Sequence, residues 1–214
     1  MLTAACTLLL SAAPLTKKYS LKKFSALRWE VYPPDVSVQK PDEEVWSVGN
    51  PSAEDLLLIA PYQEENFELA ATIRFSEATP HGSVGIVFNV QDNYEDGELP
   101  TYMLCRLSTR GETLFATVQR GAEYAIEKGR VDPGPHGLAK FKVRFVKRRD
   151  RLSLTVNGQK REFRDDTSLP AGGFGFLIAA ETEVELSDFY FAKYHEMDIP
   201  FKGVDVKKLF PKEQ

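Results

Sequence analysis

Three glutamates at alternate positions, Glu181, Glu183 and Glu185, are the first candidates for chemistry in this sequence. On an extended strand, residues i, i+2 and i+4 project from one face. Carboxylates held that way could act as nucleophile and general acid in glycoside hydrolysis, where retention needs two carboxyl groups about 5–5.5 Å apart. Positions i and i+4 lie about 13 Å apart along a strand, so that pair would need a bulge to meet. Val184 and Leu186 alternate with the glutamates. The default expectation is therefore that the apolar pair faces a core and the glutamates face water. If the chain is an enzyme, Glu183 and Glu185 are its candidate acid/base residues.

A second set suits binding rather than bond cleavage. Asn89 and Gln91, Tyr102 and Arg106, and Gln119 alternate with apolar residues on what read as adjacent strands. Sugars are held by planar polar groups that donate and accept at fixed angles, beside a ring that covers the apolar face of the pyranose. Amide, guanidinium and phenol side chains supply that inventory. Any solvated sheet offers similar groups, so the set gains meaning only from the fold that displays it.

No cofactor is expected from the remaining motifs, with one qualification. Asp92, Asn93, Glu95, Asp96 and Glu98 crowd hard oxygen donors beside Gly97. This is the ligand type Ca2+ takes, with Asp92 and Asp96 foremost, although the spacing is not that of an EF-hand. No Cys/His spacing supports zinc, and no glycine loop is built to cradle phosphate. Asn50 is followed by Pro51, so it is no N-glycosylation acceptor. Cys105 alternates with Met103 and Leu107 and reads as a small buried hydrophobe. His81, His136 and His195 fall in loops or near the end, away from any thiol. The cysteines do not reveal a redox compartment.

The elements that must position these residues are strands. Phe141, Val143 and Phe145 alternate with Lys142 and Arg144; Leu152, Leu154 and Val156 alternate with Ser153 and Thr155 and run into Asn157-Gly158. Alternation marks half-buried strands, and Asn-Gly marks a two-residue hairpin because a type I′ turn needs positive φ twice. Further strands are expected over residues 24–31, 46–48, 55–60, 67–75, 82–90, 102–107, 114–118, 174–176 and 184–191. Thr109-Arg110-Gly111 makes a hairpin turn, and a Pro/Gly loop spans 132–137. Gly172-Gly173 and Gly175 read as a turn and a close sheet approach. No segment shows a helical period, which predicts an all-β antiparallel sandwich and excludes Rossmann-type and TIM-type enzymes.

The 214 residues are 43% apolar and 11% aromatic, enough for one large β-domain. We expect a peripheral or signal segment over residues 1–16, a sandwich over 17–195 and a tail over 196–214. The apolar stretch Leu2–Leu15 is too short to span a membrane. It resembles the apolar part of a secretory signal, although no basic residue precedes it and Pro14 sits awkwardly for cleavage. Export, periplasmic or extracellular, is the expectation. The lysines that follow, without an acidic residue before Glu30, also suit a transit peptide, and an ordinary first strand is a third account. Formal net charge is −4. The run Lys147-Arg148-Arg149 beside Asp150 and Arg151 reads as a solvated hairpin end, and no nucleic-acid partner is expected.

The ordered strands resemble the concanavalin A-like lectin/glucanase superfamily, nearest its bacterial laminin-G-like and 3-keto-disaccharide-hydrolase-like domains. Four segments carry the likeness: Asn66–Leu69; Gly82–Phe88 with Asp92-Asn93-Tyr94; Leu152–Gly158; and Gly172–Phe191. Trp29 and Trp46 stand where opening strands of that family often carry tryptophan. The resemblance implies a two-sheet jelly roll whose concave face binds or cleaves carbohydrate. Retaining glucanases of the superfamily carry Glu-x-Asp-x-Glu. Here Glu183 replaces the central aspartate, and the triplet sits in the final strand rather than before several others. The expected function is therefore a carbohydrate-recognition domain using Asn89, Gln91, Tyr102, Arg106 and Gln119. A glycoside hydrolase-like enzyme is the first alternative, and a structural or adhesive module with a protein partner the second.

Overall fold

The computed structural model describes residues 15–20, 29–33, 38, 44–91, 99–133, 140–167 and 169–194. Among them are fourteen strands in two antiparallel sheets, and no helix. They are β1 (Leu15–Ser20), β2 (Glu30–Tyr32), β3 (Val45–Asn50), β4 (Leu56–Gln63), β5 (Phe67–Phe75), β6 (Ser83–Gln91) and β7 (Thr101–Ser108). β8 (Glu112–Gln119), β9 (Ala122–Arg130), β10 (Lys140–Arg148), β11 (Arg151–Val156), β12 (Gln159–Arg164), β13 (Gly173–Ile178) and β14 (Thr182–Tyr194) follow. Sheet A runs β1-β14-β5-β10-β11-β12, with β3 also paired to β14; sheet B runs β2-β4-β13-β6-β7-β8-β9. The expected jelly-roll sandwich is the observed architecture.

Alternating strands dictate the layers. In sheet A, β10 shows the buried-exposed rhythm its sequence announces, with Phe141, Val143 and Phe145 turned inward. β14 keeps the same rhythm, burying Val184 and Leu186. The core is aromatic across the two layers. Phe174 of sheet B stacks on Phe191 of sheet A with centroids 4.3 Å apart, and Phe67 lies 5.5 Å from each. Trp46 sits 4.9 Å from Trp29 and meets Phe176 edge-on. Such ring pairs add roughly 0.5–1.5 kcal/mol each beyond their buried area. Asn157 (φ 48°) and Gly158 (φ 83°) form the expected I′ turn. At Gly175 a Cβ would collide with the Leu58 carbonyl oxygen, so β13 and β4 approach as closely as they do only with glycine there.

Three expectations need correction. β9 was not foreseen: seven of its nine residues in a row are exposed, so it carries no burial rhythm to read. Sheet B is buried on both faces in β6 and β13, and its outer face holds Leu57, Ile59, Val87, Leu104, Ala116 and Leu177 in a second apolar cluster. The expected polar outer face is thus replaced by apolar packing, the pattern of strands covered on both sides. β1 starts at Leu15 and pairs with β14, so the sheet takes in the end of the segment expected to be peripheral. Residues 1–14 and the tail 196–214 lie outside the described residues, as do Asp92 and Asp96. No helix among the described residues is long and apolar enough to cross a membrane.

Candidate functional site

A cavity of about 560 Å3 opens at one end of the outer face of sheet B. Leu57 of β4, Leu177 of β13 and Val118 of β8 form its apolar wall, and Tyr102 of β7 stands among them. These four positions share a face because β4 pairs with β13 and β7 with β8, with Tyr102 directly opposite Val118. Leu99 and Pro100 approach on the β7 side, and Glu54 and Asp55 on the β4 side. The composition is that of a small-ligand site, apolar walls with a few polar groups.

Tyr102 is the chief polar group. Its side chain is nearly buried, yet its hydroxyl has no hydrogen-bond partner among the described residues. Burial pushes its pKa up to about 12; the Asp55 carboxylate adds to that rise and Arg106 opposes it. The phenol therefore keeps its proton near neutrality and can donate. Asp55 is fixed by accepting the Ala180 amide through Oδ1 at 3.1 Å.

The loop that brings Glu54 and Asp55 to the rim is pinned by Asn50, 2% exposed at the end of β3. Its Nδ2 donates to the carbonyls of Glu54 (2.8 Å), Ile178 (3.0 Å) and Ala179 (3.1 Å). Its Oδ1 accepts from the Ser52 amide at 3.3 Å and the Ser52 hydroxyl at 2.8 Å. Asn50 thus ties the β3–β4 loop to the β13–β14 turn. The Asn-Pro-Ser turn signal at 50–52 could have drawn attention to it, since asparagine side chains there bond the backbone two residues on.

Of the five residues expected to form one ligand face, the structure brings only Tyr102 to the cavity. Arg106 shares its face, but Leu104 separates them and Arg106 is ion-paired to Glu123. Asn89 is a correction. It has φ 52° in a bulge of β6, is 1% exposed, and donates to Asp165 at 3.1 Å beyond the end of β12 in sheet A. The bulge overturns the side-chain alternation assumed for it. Gln91 donates to the carbonyls of Asn89 and Pro170 at 3.1 Å, bracing a loop instead of facing the cavity. Gln119 ends β8 on the side opposite Val118 and Tyr102.

The glutamates lie elsewhere. Glu181 is in the turn before β14 with φ 54°, so the three do not form one straight row. Glu183 and Glu185 are exposed on the outer face of sheet A, where they line a hollow of about 320 Å3 with Arg74 and Glu77. Arg74 reaches Glu185 at 3.7 Å. Cys105 is buried against the core, and burial pushes its thiol up to about 12, far from the thiolate a nucleophile requires. Further along the outer face of sheet A, buried Glu68 accepts a two-pronged bond from Arg144, at 2.7 and 2.8 Å, and one from the Tyr190 hydroxyl.

Neither a protein-family model nor a curated protein matches this sequence. Solved structures do match its fold. A Bacillus subtilis protein of unknown function with a galectin-like fold superposes with a TM-score of 0.60 at 15% identity, covering 83% of this chain and 95% of that one. A Bacillus subtilis carbohydrate-binding module gives 0.55 at 12%, covering 66% and 84%. The Bacillus licheniformis beta-glucanase gives 0.53 at 9%, covering 86% and 97%. At these identities the likeness concerns the fold. The chain thus has the sandwich fold of the concanavalin A-like lectins and glucanases.

Proposed function

We propose that this chain is a carbohydrate-recognition domain that holds a neutral or amino sugar in the cavity around Tyr102, without turning it over. The single observation that carries this reading is that a proton-bearing Tyr102 hydroxyl, without a hydrogen-bond partner among the described residues, and the anchored Asp55 carboxylate line one apolar cavity. A sugar presents C–H faces to Leu57, Leu177 and Val118 and hydroxyls to Asp55 and Glu54. Carboxylates are strong acceptors for hydroxyl donors. The same carboxylates repel uronic and sialic acids, so the cavity selects against anionic sugars. Solved structures with this fold include a carbohydrate-binding module and a glucanase, which supports a glycan-related role.

The test is a glycan array followed by calorimetry on the full chain. Binding of a neutral or amino sugar should be weakened by Tyr102→Phe and Asp55→Asn and kept by Arg106→Ala, which lies outside the cavity. No binding across neutral and amino sugars would sink this reading. A second reading rests on the hollow that gathers Glu77, Glu183 and Glu185. It predicts release of reducing sugar, lost in Glu183→Gln or Glu185→Gln.

A further inference from the structure

The Tyr102 cavity holds negative charge that a neutral ligand would leave unanswered. Glu54 and Asp55 are exposed among its lining residues, and neither carboxylate is paired with a cation among the described residues. No described lysine, arginine or histidine lines the cavity. Carboxylates elsewhere in the sandwich do find counter-charges: Glu68 holds Arg144, Glu123 holds Arg106 and Asp150 holds Arg164. The backbone that carries Glu54 and Asp55 is nonetheless firmly fixed. The Glu54 carbonyl accepts from Asn50 Nδ2 at 2.8 Å and from the Ser52 hydroxyl at 2.7 Å, and the Glu54 amide donates to Ser52 Oγ at 3.2 Å. Asp55 engages Oδ1 with the Ala180 amide, and its Oδ2 has no hydrogen-bond partner among the described residues. Fixed charges of one sign beside apolar walls focus their field into a cleft and concentrate counter-ions there.

The walls decide which kind of cation answers that field. Calcium takes about 6–8 oxygen ligands. The cavity gathers two carboxylates and a phenol that keeps its proton, and the described residues include no group of three or more His, Cys, Asp or Glu side chains placed to hold a metal ion. Leu57, Leu177 and Val118 offer a hydrated ion nothing, but they suit the C–H groups of a ring. An ammonium borne on such a ring satisfies both parts of the site. Its N–H donors reach the carboxylates in charge-assisted bonds, while the ring rests on the apolar wall. Tyr32 and Tyr102 add two phenol rings to the lining, and aromatic faces attract ammonium ions. The buried Tyr102 hydroxyl remains available for a sugar oxygen. We propose that the cavity prefers a sugar with a free, protonated amine, a glucosamine unit, over neutral sugars, an inference that rests on the carbohydrate-recognition reading of the same cavity.

Three β-1,4-linked tetrasaccharides, titrated calorimetrically into the full chain, supply the test: the glucosamine oligomer, its N-acetylated form and cellotetraose. They differ only in the group at carbon 2 of each ring. The glucosamine oligomer should bind about fivefold to tenfold more tightly than the other two, the worth of two exposed charge pairs, and the margin should narrow with salt. In Glu54→Gln/Asp55→Asn the margin should shrink below about twofold. Asparagine retains an oxygen for the Ala180 amide, and Glu54→Gln alone, which should remove part of the margin, serves if the double variant folds poorly. Tyr102→Phe should weaken all three sugars together. Equal affinity for the three overturns this inference and leaves the carbohydrate reading standing, whereas binding of none removes both. A margin unchanged in the folded double variant overturns it as well, as does tightest binding of the N-acetylated form. So does cyclohexylamine, an organic cation without hydroxyls, binding as tightly as the glucosamine oligomer.

Discussion

Removing the Asn50 side chain should destabilise the sandwich more than any other single polar truncation near the cavity. Its two Nδ2 protons serve three carbonyls, one of them the buried Ile178 oxygen, while Oδ1 takes two bonds from Ser52. A neutral hydrogen bond contributes about 0.5–1.5 kcal/mol net, and a buried acceptor left without a donor costs about 1–3 kcal/mol. The Ser52 hydroxyl keeps a partner in the Glu54 carbonyl, so part of the network survives. The sum for Asn50→Ala is about 2–4 kcal/mol. In a chain of this size each kcal/mol moves the melting temperature by roughly 2–4 °C, which gives a fall of about 5–15 °C. Asn50→Asp is the telling companion. It retains the acceptor for Ser52 but sets a carboxylate against three carbonyl oxygens, so it should be at least as damaging. Ser52→Ala should cost about 1 kcal/mol or less. Calorimetric melting, with urea slopes to check that the unfolded state is unchanged, measures all three. A fall under about 2 °C for Asn50→Ala, or near-native stability for Asn50→Asp, would refute the assigned role.

Other outcomes follow from the same physics. Tyr102 is neutral in the fold up to about 12, whereas its ordinary value is 10.0. Its contribution is therefore intact below pH 10 and lost as pH climbs toward 12, by about 2–3 kcal/mol. Urea titrations at pH 9 and 12 should show Tyr102→Phe losing less than the parent, with Cys105 present in both; equal losses would contradict the assignment. Glu68→Gln should lower stability by about 1–3 kcal/mol, because buried Glu68 bonds both Arg144 and Tyr190 while Arg144 itself can regain water. A urea midpoint unmoved by Glu68→Gln would count against it. Gly175→Ala should cost about 3 kcal/mol or more, since the colliding atom is backbone and cannot swing aside. Glu185→Gln should change stability by under about 0.5 kcal/mol, as exposed ion pairs contribute little.

Much of sheet A was legible in the sequence because it is buried on one face only. The Asn157-Gly158 hairpin and the β14 rhythm each announce both strand and orientation. Sheet B was harder for a physical reason. The runs Leu56–Ala60 and Phe174–Ile178 are apolar at every position or broken by glycine, so no period says which side is inner. Alternation also presumes an unbroken pleat, and one bulged residue at Asn89 sends the following side chains to the opposite face. For the cavity, Tyr102 was identified from its strand. Glu54 and Asp55 were not, since they come from a loop brought there by the β4–β13 pairing, nor was Asn50, which pins that loop from the end of β3. Cross-strand neighbours in β10–β12 were equally hidden: Arg148 and Arg151 are close in sequence, but Arg164 joins them only through register.

The pairing of β14 with β1, β3 and β5 sets the order in which this protein can be made. A ribosome delivers those three strands long before their shared partner, and until β14 emerges β1 and β3 lack the strand they pair with and β5 is held on its β10 side alone. Trp46 and Val48 of β3 then wait as apolar side chains with no sheet to hold them. Assembly dominated by such distant contacts is slow and exposed to aggregation. Folding of sheet A is therefore post-translational in character, completed by its last strand, and a nascent chain stalled before residue 182 should be a client for chaperones.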